Sequence, residues 1–177
     1  MKLISDQLGR EICIKTPPQR IVSLVPSQTE LLCDLSLEKE LVGITKFCVH
    51  PYHLKATKKI VGGTKKVDFE KIKALKPDFI LCNKEENSYD FLPELEKIAP
   101  TYFSDVTTIQ HALDLISDLG QLLNRRTESN NLIQKINFKL TFNGVNYEFN
   151  ISKNNIDIKA DKKSIVIVQG NERIIHA

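Results

Sequence analysis

Residues 20–30 read Arg-Ile-Val-Ser-Leu-Val-Pro-Ser-Gln-Thr-Glu. The apolar run Ile21, Val22, Leu24 and Val25 has the length of a strand buried on both faces. Pro26 ends it, because proline brings no N–H to a sheet ladder. Ser27 and Glu30 have the spacing of a capping box, directly ahead of Leu31 and Leu32. Strand, tight turn and helix together form the unit that opens a parallel α/β sheet. That unit leaves a helix N-terminus facing a crevice.

On the N-terminal side, residues 2–4 and 11–14 read as a small hairpin around Asp6 to Arg10, with Gly9 suited to a positive φ. On the C-terminal side, a helix is predicted over 28–35 and a second strand over 41–45, where Leu41, Val42 and Ile44 fit a strand covered on both faces. Ile60 and Val61 form a brief extended segment that ends at Gly62-Gly63-Thr64. Asp68 is a good N-cap for a helix over 69–75. Pro77 disfavours the helical region at Lys76 and ends that helix. A strand over 79–81, a polar loop over 82–87, a helix over 89–98 and a strand over 101–103 follow. The strongest helical period runs from Ile109 to Leu123, with Asp105 or Thr107 near its cap, and it frays at Asn124 before resuming over 131–136. Four alternations of strand and helix with short connections predict a Rossmann-like parallel sheet of the α/β class.

The pattern changes near residue 138. Residues 138–142 and 145–151 flank Asn143-Gly144, a type I′ hairpin signal. Alternation over 155–159 and the run 164–168 extend it into a short antiparallel β tail. The expected organisation is a lobe over 1–136 and a hairpin-rich tail over 137–177.

With 177 residues and 41% hydrophobic content, the chain has enough apolar material for a real core. A net charge of +3, with acids and bases interspersed, offers no electrostatic footprint for nucleic acid. The first ten residues hold no apolar stretch of signal-peptide length, so the sequence by itself predicts a cytoplasmic protein. Four cysteines without a CxxC pair are expected as free thiols.

Ligands of open parallel sheets bind outside the carboxyl ends of the strands. Those ends deliver Pro26 and Ser27, then Lys46-Phe47-Cys48 and His50, then Gly62-Gly63-Thr64, then Asn83 to Glu86. Ser27 reads equally as a cap, the glycines as a turn, and Phe47 as core. Cys48 and His50 are soft and borderline donors suited to a transition metal, although two ligands do not make a site. No nucleophile, base and orienting group stand together, and the serine lacks the glycines of a nucleophile elbow. An enzyme is therefore not expected.

Residues 20–30, Leu41-Val-Gly-Ile-Thr45, Val61-Gly-Gly-Thr64 and Asp68 to Asp78 together resemble the N-terminal lobe of the cobalamin and iron-siderophore substrate-binding proteins of ABC importers. The resemblance extends over residues 1–136. It implies a Rossmann-like lobe that ends in a long backbone helix over 108–136, with the ligand held between this lobe and a second one. It also implies a corrinoid or ferric siderophore as ligand and an ABC permease as partner. Pro26, Ser27, Phe47, Gly62, Gly63 and Thr64 would face the ligand, and Glu70 would dock on the permease. The family setting is periplasmic or membrane-anchored, against the cytoplasmic expectation above. The β tail stands where the second lobe is expected, which implies a truncated receptor with an exposed face open to homodimerisation. The competing readings are a cytoplasmic metal-handling protein or enzyme using Cys48 and His50, and a non-functional receptor remnant.

Overall fold

The computed structural model describes residues 2–142, 145–151, 156–160 and 163–167, with side chains for residues 3–136. Strands β1 (Lys2–Ser5) and β2 (Glu11–Ile14) form the expected antiparallel hairpin, with Gly9 at φ 78° in its turn. β3 (Ile21–Ser23) leads into helix α1 (Pro26–Asp34). β4 (Leu41–Ile44), α2 (Leu54–Thr57) and β5 (Lys59–Ile60) follow. Then come α3 (Phe69–Ala74), β6 (Phe79–Asn83), a 3-10 turn (Tyr89–Phe91) and α4 (Leu92–Glu96). β7 (Thr101–Ser104), α5 (Ile109–Leu122) and α6 (Arg126–Leu140) complete the α/β part.

Strands β3 to β7 make one parallel sheet in the order β5-β4-β3-β6-β7. The first strand is central, and the order reverses between β3 and β6. The two-residue side-chain period divides the core into two layers. Ile21, Phe79, Leu81 and Tyr102 face one side with Leu32 and Leu35 of α1 and Leu115, Leu119 and Leu122 of α5. Val22, Ile80, Cys82 and Phe103 face the other with Ile72 of α3 and Leu92 and Leu95 of α4. Helices thus cover both faces, which is why these strands read as continuous apolar runs. Truncating a fully buried Leu or Ile here to Ala costs about 2–5 kcal/mol.

Asp6, only 4% exposed, ties the hairpin to the sheet edge. Its carboxylate accepts from the backbone N–H of Leu8, Arg10 and Phe103 and pairs with the Arg10 guanidinium at 2.6 Å.

Several local expectations change. Ser27 and Glu30 form no capping box: the N-cap is Val25, Pro26 occupies the first turn, and no side chain caps α1. Proline's fixed φ and absent N–H suit that first position, so the helix starts earlier than the serine suggests. The cap of α5 is Thr108, which accepts from the His111 N–H, rather than Asp105 or Thr107. The β6 strand runs on through Cys82 and Asn83.

The long helix that the resemblance implies over 108–136 is broken at Asn124, where the helical period frays. Asn124 adopts φ 59°, and the Arg125 N–H donates to the Gly120 carbonyl at 2.8 Å, the closing bond of a Schellman motif. α6 then packs back on α5. A Cβ on Gly120 would sit 2.0 Å from Ser129 Oγ, so only glycine permits that approach.

Residues 138–140, read as strand, belong to α6. Strands β8 (Thr141–Phe142), β9 (Val145–Ile151), β10 (Ile156–Ala160) and β11 (Lys163–Ile167) form an antiparallel meander in the order β11-β10-β9-β8. β9 lies against α5 and α6. The Asn143-Gly144 turn lies outside the described residues. Among the described residues, no helix is long and apolar enough to cross a membrane.

Candidate functional site

Parallel strands place all their carboxyl ends on one edge, and the reversal between β3 and β6 opens a crevice there. Four exit loops line this rim, and the backbone hydrogen bonds among them show how closely they are joined. The Lys46 N–H donates to the Gly62 carbonyl at 2.8 Å, binding the β4 exit to the β5 exit. Asn87, 2% exposed, is the central fastener. Its Nδ2 donates to the Thr64 carbonyl at 2.9 Å and to the Leu24 carbonyl at 3.2 Å. Its Oδ1 accepts from the Asn83 N–H at 2.9 Å. One amide therefore holds the exits of β3, β5 and β6. Asn83 Oδ1 in turn accepts from the Glu85 and Glu86 N–H groups and shapes the β6 exit as a tight turn.

An open concavity of about 940 Å3 lies on the β4 and β5 side of this rim. Phe47, Gly62, Gly63 and Thr64 line it together with Lys46 and Glu70. Gly62 sits at φ 120°, and a Cβ there would come 2.6 Å from the Lys66 carbonyl oxygen, so the loop requires glycine at this point. A Cβ on Gly63 would meet Phe47 Cε2 at 3.1 Å. The Phe47 ring is half exposed over that glycine rather than joining the core. Pro26 and Ser27 stand on the neighbouring β3 exit and do not line the concavity. Glu70 is exposed in the first turn of α3, whose cap is the Asp68 side chain as expected. The Lys71 N–H bonded to that carboxylate holds Asp68 below the usual carboxylate range.

Cys48 and His50 do not share a site. The Cys48 thiol is buried at 3.2 Å from Thr29 Oγ1 and 3.3 Å from Thr45 Oγ1, where it joins α1 to the β4 exit. His50 is exposed and meets the Tyr52 ring edge-on. Both lie in the irregular loop after β4, where positions two apart need not converge as they would in a strand. Among the described residues, no group of three or more His, Cys, Asp or Glu side chains is placed to hold a metal ion.

Sequence reasoning missed Asn87 and Gln28. Gln28 is 3% exposed, donates from Nε2 to Ser104 Oγ, and leaves Oε1 without a partner among the described residues. A polar residue in the first turn of a helix reads as solvated unless the packing of the strand beside it is known.

An α/β lobe with an open, glycine-bearing rim at the carboxyl ends of its strands has the architecture of a ligand-binding module. A family model described as periplasmic binding protein matches residues 21–141, and the chain belongs to that family. The ferric-anguibactin-binding protein FatB of Vibrio anguillarum is 30% identical over 78% of this chain and 45% of its own length. A vitamin B12-binding protein of Vibrio campbellii is 30% identical over 59% of this chain and 38% of its own. Among solved structures, Staphylococcus aureus SirA complexed with staphyloferrin B superposes with a TM-score of 0.67 at 27% identity, over 79% of this chain and 48% of that one. The chain thus spans less than half the length of each of these proteins.

Proposed function

We propose that this chain binds a metal-containing organic complex, a corrinoid or a ferric siderophore, as the substrate-binding component of an ABC import system. The observation that carries this reading is the rim itself. Loops from four strands are locked to one another by Asn87 and by the Lys46 to Gly62 bond, while the side chains above them stay open. A pre-formed concave surface of this kind spends little ordering entropy on a ligand. The relatives named for vitamin B12 and ferric anguibactin support the ligand class. Pro26, Ser27, Phe47 and Gly62 to Thr64 are the proposed ligand-facing positions, with Ser27 at the margin. Membership of the periplasmic binding protein family favours an extracytoplasmic setting for this chain over a cytoplasmic one.

Exposed Glu70 is the proposed permease contact. A Glu70→Cys variant is expected to cross-link to the cognate permease, and a failure to do so removes that assignment. The ligand reading is tested by thermal melts with cyanocobalamin, ferric trihydroxamate and ferric tris-catecholate. Ligand at a hundredfold above Kd raises stability by about 2.7 kcal/mol. No shift with any of the three at millimolar concentration contradicts it.

A further inference from the structure

The charge around the concavity is not balanced, and the imbalance follows from which ion pairs form. Asp68 is taken by Lys71 at 3.0 Å, and Glu94 by Lys97 at 2.6 Å. Of the lining carboxylates only Glu70 has no ion-pair partner among the described residues. Of the lining lysines, Lys46, Lys65 and Lys66 have no carboxylate within ion-pair distance among the described residues. All three are exposed.

Two of these ammonium groups are held in place by neutral partners. Lys46 Nζ lies 5.0 Å from the centroid of the Phe47 ring. The Lys46 stem passes over Gly63, where a Cβ would lie 3.4 Å from Lys46 Cε. Lys65 Nζ donates to the Glu85 backbone carbonyl. A cation fixed by a ring or a carbonyl keeps its full charge and loses less freedom when it meets an anion. The carboxylates of Glu85 and Glu86 lie on the β6 exit and do not line the concavity.

We infer that the concavity selects an anionic metal chelate, one carrying carboxylate or catecholate oxygens, over a neutral corrinoid or a neutral trihydroxamate. This rests on the binding reading proposed above. It assigns Lys46, Lys65 and Lys66 the selecting role and the Phe47 face the contact for the ligand's apolar or aromatic part.

The test is titration calorimetry of the full chain with ferric tris-catecholate, ferrichrome as the neutral ferric trihydroxamate, and cyanocobalamin, at low and high salt. The same series is run on a Lys46→Gln/Lys65→Gln/Lys66→Gln variant. Unchanged far-UV circular dichroism confirms that this variant folds. The expected result is that the catecholate complex binds tightest and weakens with salt, and that the variant loses about tenfold or more of that affinity. Its affinity for the neutral complexes is expected to stay as it was. A neutral complex bound as tightly as the anionic one, or a variant that keeps wild-type affinity for the catecholate complex, overturns the charge selection and leaves the binding module standing. Binding of none of the three overturns both.

Discussion

The two edges of the parallel sheet are finished to different degrees. At the amino edge, side chains close most of the backbone's bonding capacity. The Asp78 carboxylate accepts from the Gln19 and Arg20 N–H groups at 2.8 Å each. The Arg20 guanidinium donates to the carbonyls of Leu75 and Lys76, satisfying the orphan groups at the end of α3. At the head of β4, Glu40 Oε1 meets Arg125 at 3.1 Å, while its Oε2 has no hydrogen-bond partner among the described residues. At the carboxyl edge, the backbone is equally well fastened by Asn87 and Asn83, but the side chains are not matched. Among the described residues, Lys46, Lys65 and Lys66 lack carboxylate partners and Gln28 Oε1 has no donor, and Phe47 is 50% exposed. A rigid frame carrying unmet bonding capacity is what a ligand surface requires.

The contrast predicts how substitutions at the two edges separate. Asn87→Ala leaves three buried backbone groups without their partner and is expected to cost about 3 kcal/mol in denaturant melts, with ligand affinity falling as well. Gly62→Ala forces a side chain into φ 120° against the Lys66 carbonyl and is expected to cost about 2 kcal/mol, again with weaker binding. Asp78→Ala at the amino edge is expected to lower stability by about 1 kcal/mol while titration shows unchanged affinity. If Asp78→Ala weakened binding as much as Gly62→Ala, the two edges would not differ in role.

The smallest effect concerns a third place, the seam between β7 and α5. Tyr102 donates to Asp118 Oδ2 at 2.6 Å, and burial is the leading cause that raises the Asp118 carboxyl above its ordinary range, with the Tyr102 bond acting in the opposite sense. A raised folded pKa means that the native state holds the proton more tightly than the unfolded chain. The resulting stability is present below the ordinary aspartate range and is lost as pH rises through the raised value. Asp118→Asn is therefore expected to melt slightly higher than wild type at neutral pH, with the gap closing in acid. A melting temperature for Asp118→Asn that is lower at neutral pH contradicts the assignment.

The strands of the sheet were legible because a strand buried on both faces leaves an apolar run, as at Ile21 to Val25 and Phe79 to Leu81. Asp68 was legible as a cap because its partner is three residues away. Other features depended on contacts far along the chain. Asn87 sits in a polar loop beside two exposed glutamates, and nothing local marks it. Its partners Leu24 and Thr64 lie 63 and 23 residues away. The Ser27 and Glu30 spacing was a false signal, because Pro26 had already supplied a helix start that needs no N–H. Phe138 to Leu140 alternate as a strand would, but helix propagation from α6 decided their state. Of the candidate site, Phe47 and Gly62 to Thr64 converge as the strand-end rule predicts. Cys48 does not, because its neighbours Thr29 and Thr45 draw the thiol inward.

The central claim is that the carboxyl edge, and not the amino edge, is where a ligand sits. Hydrogen–deuterium exchange with and without saturating ferric tris-catecholate tests it directly. The account predicts slowed exchange at residues 46–49, 62–67 and 83–87, with residues 19–20 and 75–78 unchanged. Saturable binding that protects residues 75–78 and leaves 62–67 untouched would contradict it.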